Sequence, residues 1–435
     1  MSEPDKSGNE PGKSLFVFVG DVSADYHTAK LLARLREVAP DLRVWGVGGQ
    51  AMEAEGAELL HDCRSFACVG IIEVIRFLPF LSRLKSELIQ EVERRRPDAV
   101  LLVDFAGFNL KLASALRSKY PDLPILYFIS PQVWGSRPWR MNTIARTISK
   151  MLVIFPFEEP LYLGRGIPAR FVGHPLTQTV TGDAGQLSRE EFCKAHCLDP
   201  NRFIVGIFPG SRRQEIKDHL PVLMEAVAWL NAQRPDLQFV MSQANSILAE
   251  NIDSLLNRTG YRRLVGTGLT LLPPGASLSL MSVSDLVWAK SGTTTLEAAL
   301  LGKPMLIFYR GNWLSYLIFL LFKRVRHVGW PNILAGQGVV PELIQLDCRA
   351  EQFVRYTLDW LDVPAARQAI GEQLRSLKAR LGEGTFAETA ASEVLSWLGL
   401  SDAASEESGT TVIELPTESS DKQPQQTAPQ GLEKR

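Results

Sequence analysis

An apolar run ends at a Pro-Gly pair in the stretch VGIFPGSRRQEI (205–216), and a helix-like polar segment follows it. The start of a helix carries partial positive charge and unpaired N–H groups. Gly210 lets the backbone approach a ligand closely, Ser211 can cap the helix, and Arg212 offers a forked donor that suits phosphate. The turn therefore predicts an anion site, with a capped turn and solvated arginines as the alternative interpretation.

A second helix start with the same chemistry lies in AKSGTTTLEAAL (289–300). Ser291, Gly292 and Thr293 supply hydroxyls and free N–H groups where an apolar strand gives way to a helix. Glu297 lies about one helical turn further on, where a carboxylate can accept hydrogen bonds from a ribose diol. Taken alone, this segment is typical of a helix cap. Together with the first turn, it predicts a nucleoside diphosphate site.

The elements that must position these turns are continuous apolar runs joined by helical stretches of roughly ten to fifteen residues, a pattern typical of parallel strands covered on both faces. The first series of predicted strands is 14–20, 44–49, 98–105, 125–130 and 151–157. The second series is 203–209, 237–243, 262–267, 285–290 and 304–310. Two doubly wound α/β domains are predicted, with the ligand site in the cleft at the carboxyl ends of their strands.

The domain boundaries follow from changes in composition along the chain. The predicted organisation is a disordered N-terminal tail (1–13), a first domain (14–178), a polar connector (179–199), a second domain (200–348), helices that pack back across the join (349–398) and a disordered tail (399–435). The second tail is rich in Ser, Glu, Gln and Thr, which cannot build an apolar core.

The composition excludes several classes of protein. The chain has 435 residues and a net charge of −1, so the charge balance gives no reason to expect nucleic acid as a partner. Five cysteines, an odd number with uneven spacing, indicate a reduced, cytosolic compartment. Because no second Cys or His pair accompanies Cys193 and Cys197, we expect no zinc site. No apolar run reaches the length of about 18 residues that a membrane-spanning helix needs.

Motifs in both halves of the chain resemble those of the lipid-A-disaccharide synthase family, over roughly residues 14–398. In the second half the matching motifs, in the family's order and spacing, are PGSR (209–212), SGTTTLEA (291–298), YR (309–310) and PNILAG (331–336). In the first half they are GDVSAD (20–25), VGIIEV (69–74), VDFAGFN (103–109), SPQVW (130–134), FPFE (155–158) and FVGHP (171–175).

The resemblance implies an inverting glycosyltransferase with two Rossmann-like domains, the GT-B arrangement. That family joins UDP-2,3-diacylglucosamine to 2,3-diacylglucosamine 1-phosphate, forming a β(1→6) disaccharide 1-phosphate of lipid A biosynthesis and releasing UDP. Inversion requires a base that takes the proton of the acceptor hydroxyl, and Asp104 matches the family's base. Arg212 and the helix starts would stabilise the departing UDP. The resemblance implies no metal and no cofactor.

The resemblance also supplies further site residues. Asn332 joins the predicted UDP-sugar site, and the candidates on the acceptor side are Asp21, Ser23, Asp25 and Asn109. The family usually has Gly-Glu-x-Ser-Gly-Asp at the first turn, where this chain has GDVSAD, and Gly107 stands where the family has a second aspartate.

The sequence is also consistent with two other functions. A non-hydrolysing UDP-sugar epimerase uses the same cleft and needs no lipid surface. A non-catalytic UDP-binding or lipid-binding paralogue is the third class, because of Gly107. The expected partners of the leading function are the two acylated glucosamine substrates and the inner-membrane surface, with a homodimer left open.

Two apolar stretches with neighbouring cations could contact lipid, residues 70–85 and 313–330. An apolar face beside cations suits the interface of an anionic leaflet. A buried helix with a basic end is the alternative, equally supported for 313–330, whereas 70–85 favours the interface. We therefore predict a cytoplasmic protein attached peripherally to the cytoplasmic face of the inner membrane.

Overall fold

The structure, a computed structural model, describes residues 12–66, 71–135, 137–181, 187–312, 316, 326–382 and 384–400. Both predicted tails therefore lie almost wholly outside the described residues, as does most of the stretch 313–330.

The first half of the chain forms a parallel sheet with the strand order β3-β2-β1-β4-β5-β6-β7. Its strands are β1 (Ser14–Val19), β2 (Arg43–Gly48), β3 (Glu58–Asp62), β4 (Ala99–Val103), β5 (Ile125–Phe128), β6 (Lys150–Val153) and β7 (Ala169–Phe171). The helices between them are α1 (Val22–Val38), α2 (Gln50–Ala54), α3 (Ile71–Arg95), α4 (Ala106–Lys119), α5 (Arg140–Thr147) and α6 (Glu158–Leu163). Strands β1 and β4 are buried along their whole length because helices cover both faces.

The second half forms another parallel sheet, with the order β10-β9-β8-β11-β12-β13. Its strands are β8 (Phe203–Phe208), β9 (Leu237–Met241), β10 (Leu269–Leu271), β11 (Leu286–Lys290), β12 (Met305–Tyr309) and β13 (Glu342–Ile344). The helices before and around this sheet are α7 (Leu176–Thr181), α8 (Arg189–Ala195), α9 (Arg213–Gln233), α10 (Ser246–Thr259), α11 (Ser277–Val283), α12 (Thr293–Leu300) and α13 (Trp330–Ala335). The prediction of two doubly wound α/β domains is confirmed.

Three further helices close the described chain: α14 (Ala350–Asp362), α15 (Pro364–Arg380) and α16 (Phe386–Leu398). Helix α14 packs on α9 and α15 packs on α12, both in the second half. Helix α16 packs on α1 of the first half, and the Phe386 ring stacks on Phe128 with centroids 6.4 Å apart. One apolar core consequently runs from the first sheet through α16 to the second sheet.

In each sheet the strand order changes direction next to the first strand, β1 in the first sheet and β8 in the second. In the first sheet this switch point lies between β1 and β4, where Val19 is opposite Val103. In the second it lies between β8 and β11, where Phe208 is opposite Ala289. Open α/β sheets bind ligands at such points, since loops from the two strands diverge and leave a crevice.

Some local predictions are wrong. Residues 262–267 form no strand. Instead, a 3₁₀ turn forms at Tyr261–Leu264. Gly266 follows it with a φ of 85°, and the chain then enters β10. The predicted connector contains α8, which begins with a reciprocal capping box between Ser188 and Glu191. The edge strands β3, β7 and β13 were not predicted, since three to five residues give no clear apolar run.

Residues 71–85 of the first apolar stretch form the beginning of α3, which contains Pro79. Across the described ranges, no helix is both long enough and apolar enough to cross a membrane.

Candidate functional site

A cavity of about 690 Å³ lies at the carboxyl ends of the strands of both sheets. The first half lines it with residues that follow β1, β4, β5, β6 and β7, and the second half with residues that follow β8, β11 and β12. Its charged and hydrogen-bonding side chains include Asp21, Ser23, His27, Asp104, Ser130, Gln132, Arg137, Arg140, His174, Arg212, Thr293 and Trp330.

Asp104 directly follows β4 and is held in an uncommon backbone conformation. Its φ is 45° and that of Phe105 is 41°, so two consecutive side-chain-bearing residues are left-handed. Such a turn costs conformational energy and persists only where surrounding contacts fix it. The Phe105 ring packs against Gly20, where an added Cβ would lie 2.3 Å from the ring, so the turns after β1 and β4 interlock.

Hydrogen bonds fix the backbone of Asp104 on both sides. Its N–H donates to the carbonyl of Phe128 at 3.0 Å. Its carbonyl accepts from the Asn109 Nδ2 at 2.8 Å and from the Tyr127 hydroxyl. Asn109 is fully buried and also donates to the carbonyl of Val103 at 3.0 Å. The structure therefore places Asn109 beneath the turn, where it holds Asp104 and does not line the cavity.

The carboxyl group of Asp104 has the character of a base. Burial raises its pKa to about 6, with a further contribution from the negative charge of Asp21 and a partial offset by the N–H of Phe105. A carboxylate with a pKa close to the working pH is still ionised there, yet it holds a proton more strongly than an exposed one.

Of the other acceptor-side candidates, Asp21 and Ser23 line the cavity and Asp25 does not. Asp21 is the N-cap of α1 and accepts from the N–H of Ala24 at 2.9 Å. Asp25 is buried and accepts from the N–H groups of Gly49 and Ala51, at 2.7 and 3.1 Å, so its carboxylate fixes the start of α2.

The turn after β8 presents Arg212 to the cavity, with 70% of its side chain exposed. Gly210 has a φ of 127°, and an added Cβ there would lie 2.6 Å from a carboxylate oxygen of Glu215. Glu215 accepts from the N–H of Ser211 at 3.1 Å and pairs with the Lys290 ammonium at 2.9 Å. The N-cap of α9 is Arg212, not Ser211 as the turn chemistry predicts, and the turn is held by the buried carboxylate.

The turn after β11 places Gly292 and Thr293 at the start of α12, both lining the cavity. Ser291 donates from its hydroxyl to the carbonyl of Val328 at 3.0 Å, so its side chain anchors the turn. Its N–H donates to the carbonyl of Phe308 at 2.9 Å. The free N–H groups of the first turn of α12 thus face the same cavity as Arg212.

The last two predicted residues of the UDP-sugar site differ in surroundings. Glu297 is partly buried on α12, which raises its pKa, and no described residue donates a hydrogen bond to its carboxylate. Asn332 is buried, donates to the carbonyl of Val340 at 2.9 Å and accepts from the N–H groups of Val339 and Val340. Its amide therefore fixes the loop before β13.

Aromatic residues join the two halves beside the cavity. The rings of Phe155 and Trp330 stack with centroids 4.1 Å apart and an interplanar angle of 15°. Trp134 contacts Trp330 edge-on at 5.8 Å and donates from its indole N–H to Glu158 at 3.0 Å. Burial raises the pKa of Glu158 to about 7. Sequence analysis gave none of these residues an individual role, although three fall in the SPQVW and FPFE motifs.

Two histidines also line the cavity without having been singled out. Burial lowers the pKa of His27 to about 4 and that of His174 to about 3, so both are neutral at pH 7. His174 accepts from the N–H of Leu176 at 3.1 Å and fixes the turn that leads into α7. His174 lies in the motif FVGHP (171–175), which could have identified it as a site residue.

Sequence analysis also missed Arg137 and Arg140, which lie in the cavity after β5. The run SRPWR (136–140) begins two residues after the end of the motif SPQVW, and its position after a predicted strand could have identified it. Throughout the described residues, no group of three or more His, Cys, Asp or Glu side chains could hold a metal ion.

The family model described as lipid-A-disaccharide synthetase matches residues 15–394. The lipid-A-disaccharide synthase of Geobacter sulfurreducens is 38% identical over 385 residues, which are 88% of this chain and 97% of the relative. The enzyme of that name from Nitrosococcus oceani is 36% identical over 368 residues, 85% of this chain and 92% of the relative.

Solved structures share the fold at low sequence identity. The UDP-GlcNAc 2-epimerase of Neisseria meningitidis, solved with UDP-GlcNAc, has a TM-score of 0.60 at 15% identity and covers 88% of this chain and 100% of its own. The UDP-GlcNAc 2-epimerase of Methanocaldococcus jannaschii has a TM-score of 0.56 at 13% identity and covers 88% and 99%. These likenesses support the arrangement of two Rossmann-like domains. The matching family model and the relatives at 36–38% identity show that the chain belongs to the lipid-A-disaccharide synthetase family.

Proposed function

We propose that this protein is an inverting glycosyltransferase that joins UDP-2,3-diacylglucosamine to 2,3-diacylglucosamine 1-phosphate. The products are the lipid A disaccharide 1-phosphate and UDP. The observation that carries the proposal is that Asp104, a partly buried carboxylate with a raised pKa, shares one cavity with Arg212 and the start of α12.

In the proposed reaction, a hydroxyl oxygen of the acceptor attacks the anomeric carbon of the donor while Asp104 takes the hydroxyl proton. The bond between that carbon and the diphosphate oxygen breaks, and the electron pair leaves with UDP. Arg212 and the free N–H groups at Gly292 and Thr293 stabilise the charge that develops on the diphosphate. Because the N–H groups are held by the start of α12 before the reaction, they require little reorganisation.

The donor is proposed to lie against the second half of the chain, with its ribose near Glu297. This carboxylate has no hydrogen-bond donor among the described residues, and a ribose diol would supply two. The acceptor is proposed to lie against the first half, near Asp21, Ser23 and Asp104.

The direct test is to incubate the purified protein with both acylated substrates and to detect the disaccharide by mass. UDP-N-acetylglucosamine in place of the acylated donor gives the control, since an epimerase would convert this soluble sugar without an acceptor. Appearance of the epimer in that control, with no disaccharide from the acylated pair, would refute the proposal.

We further propose that the protein attaches to the cytoplasmic face of the inner membrane through the first part of α3. Leu78 on this helix is 48% exposed, and Arg83 follows on an exposed position. Leu78→Glu should reduce cosedimentation with anionic vesicles, because a charge replaces an apolar contact. Leu163→Glu is the matched control, since Leu163 on α6 is 52% exposed. Equal binding by both variants would exclude this part of α3. The other stretch, 313–330, lies almost wholly outside the described residues.

A further inference from the structure

Two arginines face the cavity from the first half of the chain. Arg140 begins α5 and Arg137 lies three residues before it, in the loop that follows β5. Arg137 is exposed and Arg140 is partly buried, and both line the cavity.

Neither guanidinium is neutralised within the described part of the protein. No described carboxylate lies within ion-pair distance of Arg137 or Arg140, whereas Arg212 has Glu215 at 3.6 Å. Burial and the neighbouring charge of Arg137 lower the pKa of Arg140, yet a guanidinium keeps its charge at any physiological pH. Two unpaired cations side by side are unfavourable unless an anion joins them.

The position of this pair differs from that of the diphosphate site. Arg212 and the start of α12 belong to the second half of the chain, while Arg137 and Arg140 follow β5 of the first half. The remaining charges on the first half, Asp21 and Asp104, are negative and repel anions. The anionic group of an acceptor is therefore attracted to the arginine pair and repelled by the two carboxylates.

We propose that Arg137 and Arg140 form a second anion subsite that binds a phosphate monoester on the acceptor. A phosphate monoester is close to a dianion at neutral pH, and two guanidinium groups match its charge and its oxygen geometry. Anchoring the phosphate at this pair turns the rest of the acceptor toward Asp104. The assignment of the phosphate to the acceptor rests on the proposed function.

The test compares two soluble ligands, glucosamine 1-phosphate and glucosamine, in the presence of saturating UDP. Their binding to wild type and to the double variant Arg137→Gln/Arg140→Gln is followed by NMR titration. We expect the variant to bind glucosamine 1-phosphate about 10- to 100-fold more weakly, the range for lost charge-assisted hydrogen bonds, and glucosamine unchanged. Arg146→Gln is the matched control, since Arg146 is an exposed arginine at the other end of α5 and should leave both affinities unchanged.

Several results would overturn the subsite. Wild type that binds the two ligands equally would show that the phosphate is not recognised. If the double variant loses affinity for UDP by the same factor as affinity for glucosamine 1-phosphate, the arginines belong to the donor site. If the double variant does not fold, the single change Arg137→Gln at the exposed position gives the same comparison.

The outcome is distinguishable from failure of the proposed function because the titration requires no turnover. If wild type prefers glucosamine 1-phosphate through these arginines but forms no disaccharide, the subsite stands and the reaction is refuted. If disaccharide forms, the double variant should raise the acceptor KM and leave the donor KM unchanged.

Discussion

Asp21 and Asp104 lie at the carboxyl ends of two paired strands, β1 and β4, and both carboxylates line the same cavity. The negative charge of Asp21 adds to the effect of burial and raises the pKa of Asp104. Asp21 itself is held as the N-cap of α1, so its distance from Asp104 is set by the sheet. The two residues differ in role: one is a cap that contributes a charge, and the other is the proposed base.

Asp104→Asn removes the base and retains the shape of the side chain. Asparagine also tolerates the left-handed backbone that Asp104 adopts, so the fold should survive. We expect the turnover rate to fall by about 10²–10⁴-fold, the usual contribution of a positioned base. UDP affinity, measured by calorimetry, should barely change because the proposed nucleotide site lies in the second half. Near-normal turnover would place the base elsewhere, with Asp21 as the next candidate.

The pH dependence of kcat/KM should show an acid limb near the raised pKa of Asp104, about 6. The base must be ionised, so activity is full above this pKa and declines as the pH falls below it. Asp21→Asn keeps the helix cap but removes the charge, so the limb should move to lower pH. Asp41→Asn on an exposed loop is the control. A limb that does not move in Asp21→Asn would mean that burial alone sets the pKa.

Arg212→Ala should weaken UDP binding by roughly 1.5–3 kcal/mol, because a charge-assisted hydrogen bond to phosphate is lost. Arg213→Ala is a matched control, since Arg213 is also exposed and does not line the cavity. Calorimetric titration with UDP measures both variants. Equal affinities for the two variants would remove Arg212 from the site.

Glu297→Ala should reduce the affinity for UDP more than the affinity for inorganic diphosphate. The reason is that the proposed partner of this carboxylate is the ribose, which diphosphate lacks. Competition experiments with the two ligands measure the difference. Parallel losses for both would instead indicate that the variant disturbs the start of α12, where the phosphates are proposed to bind.

Activity should be unaffected by EDTA. The diphosphate is proposed to be neutralised by Arg212 and helix N–H groups, and the described residues contain no acidic cluster that could hold a cation. The measurement is the rate of disaccharide formation with and without chelator. Loss of activity that magnesium restores would contradict this account of the leaving group.

The sequence by itself determined the class of fold and placed the turns after β1, β4, β8 and β11 at the carboxyl ends of strands. Apolar runs long enough to be buried on both faces require parallel strands with helical crossovers, and polar turns at their carboxyl ends then meet at one edge. For this reason Arg212 and Gly292 could be predicted from the residue pattern, whereas Asp104 was predicted from the resemblance to the family. The short edge strand β10 could not be predicted, since three residues are too few to show a strand pattern. The neighbouring stretch 262–267 has the longer apolar pattern and was predicted in its place.

Only the tertiary structure decided which polar side chains face the cavity and which hold its walls. Asn109, Asp25 and Asn332 are polar residues in matching motifs, yet all three are buried and bonded to backbone. The stacking of Phe155 on Trp330 joins residues from different halves of the chain. Burial and packing partners depend on how segments distant in sequence approach one another. Local residue patterns do not determine this approach.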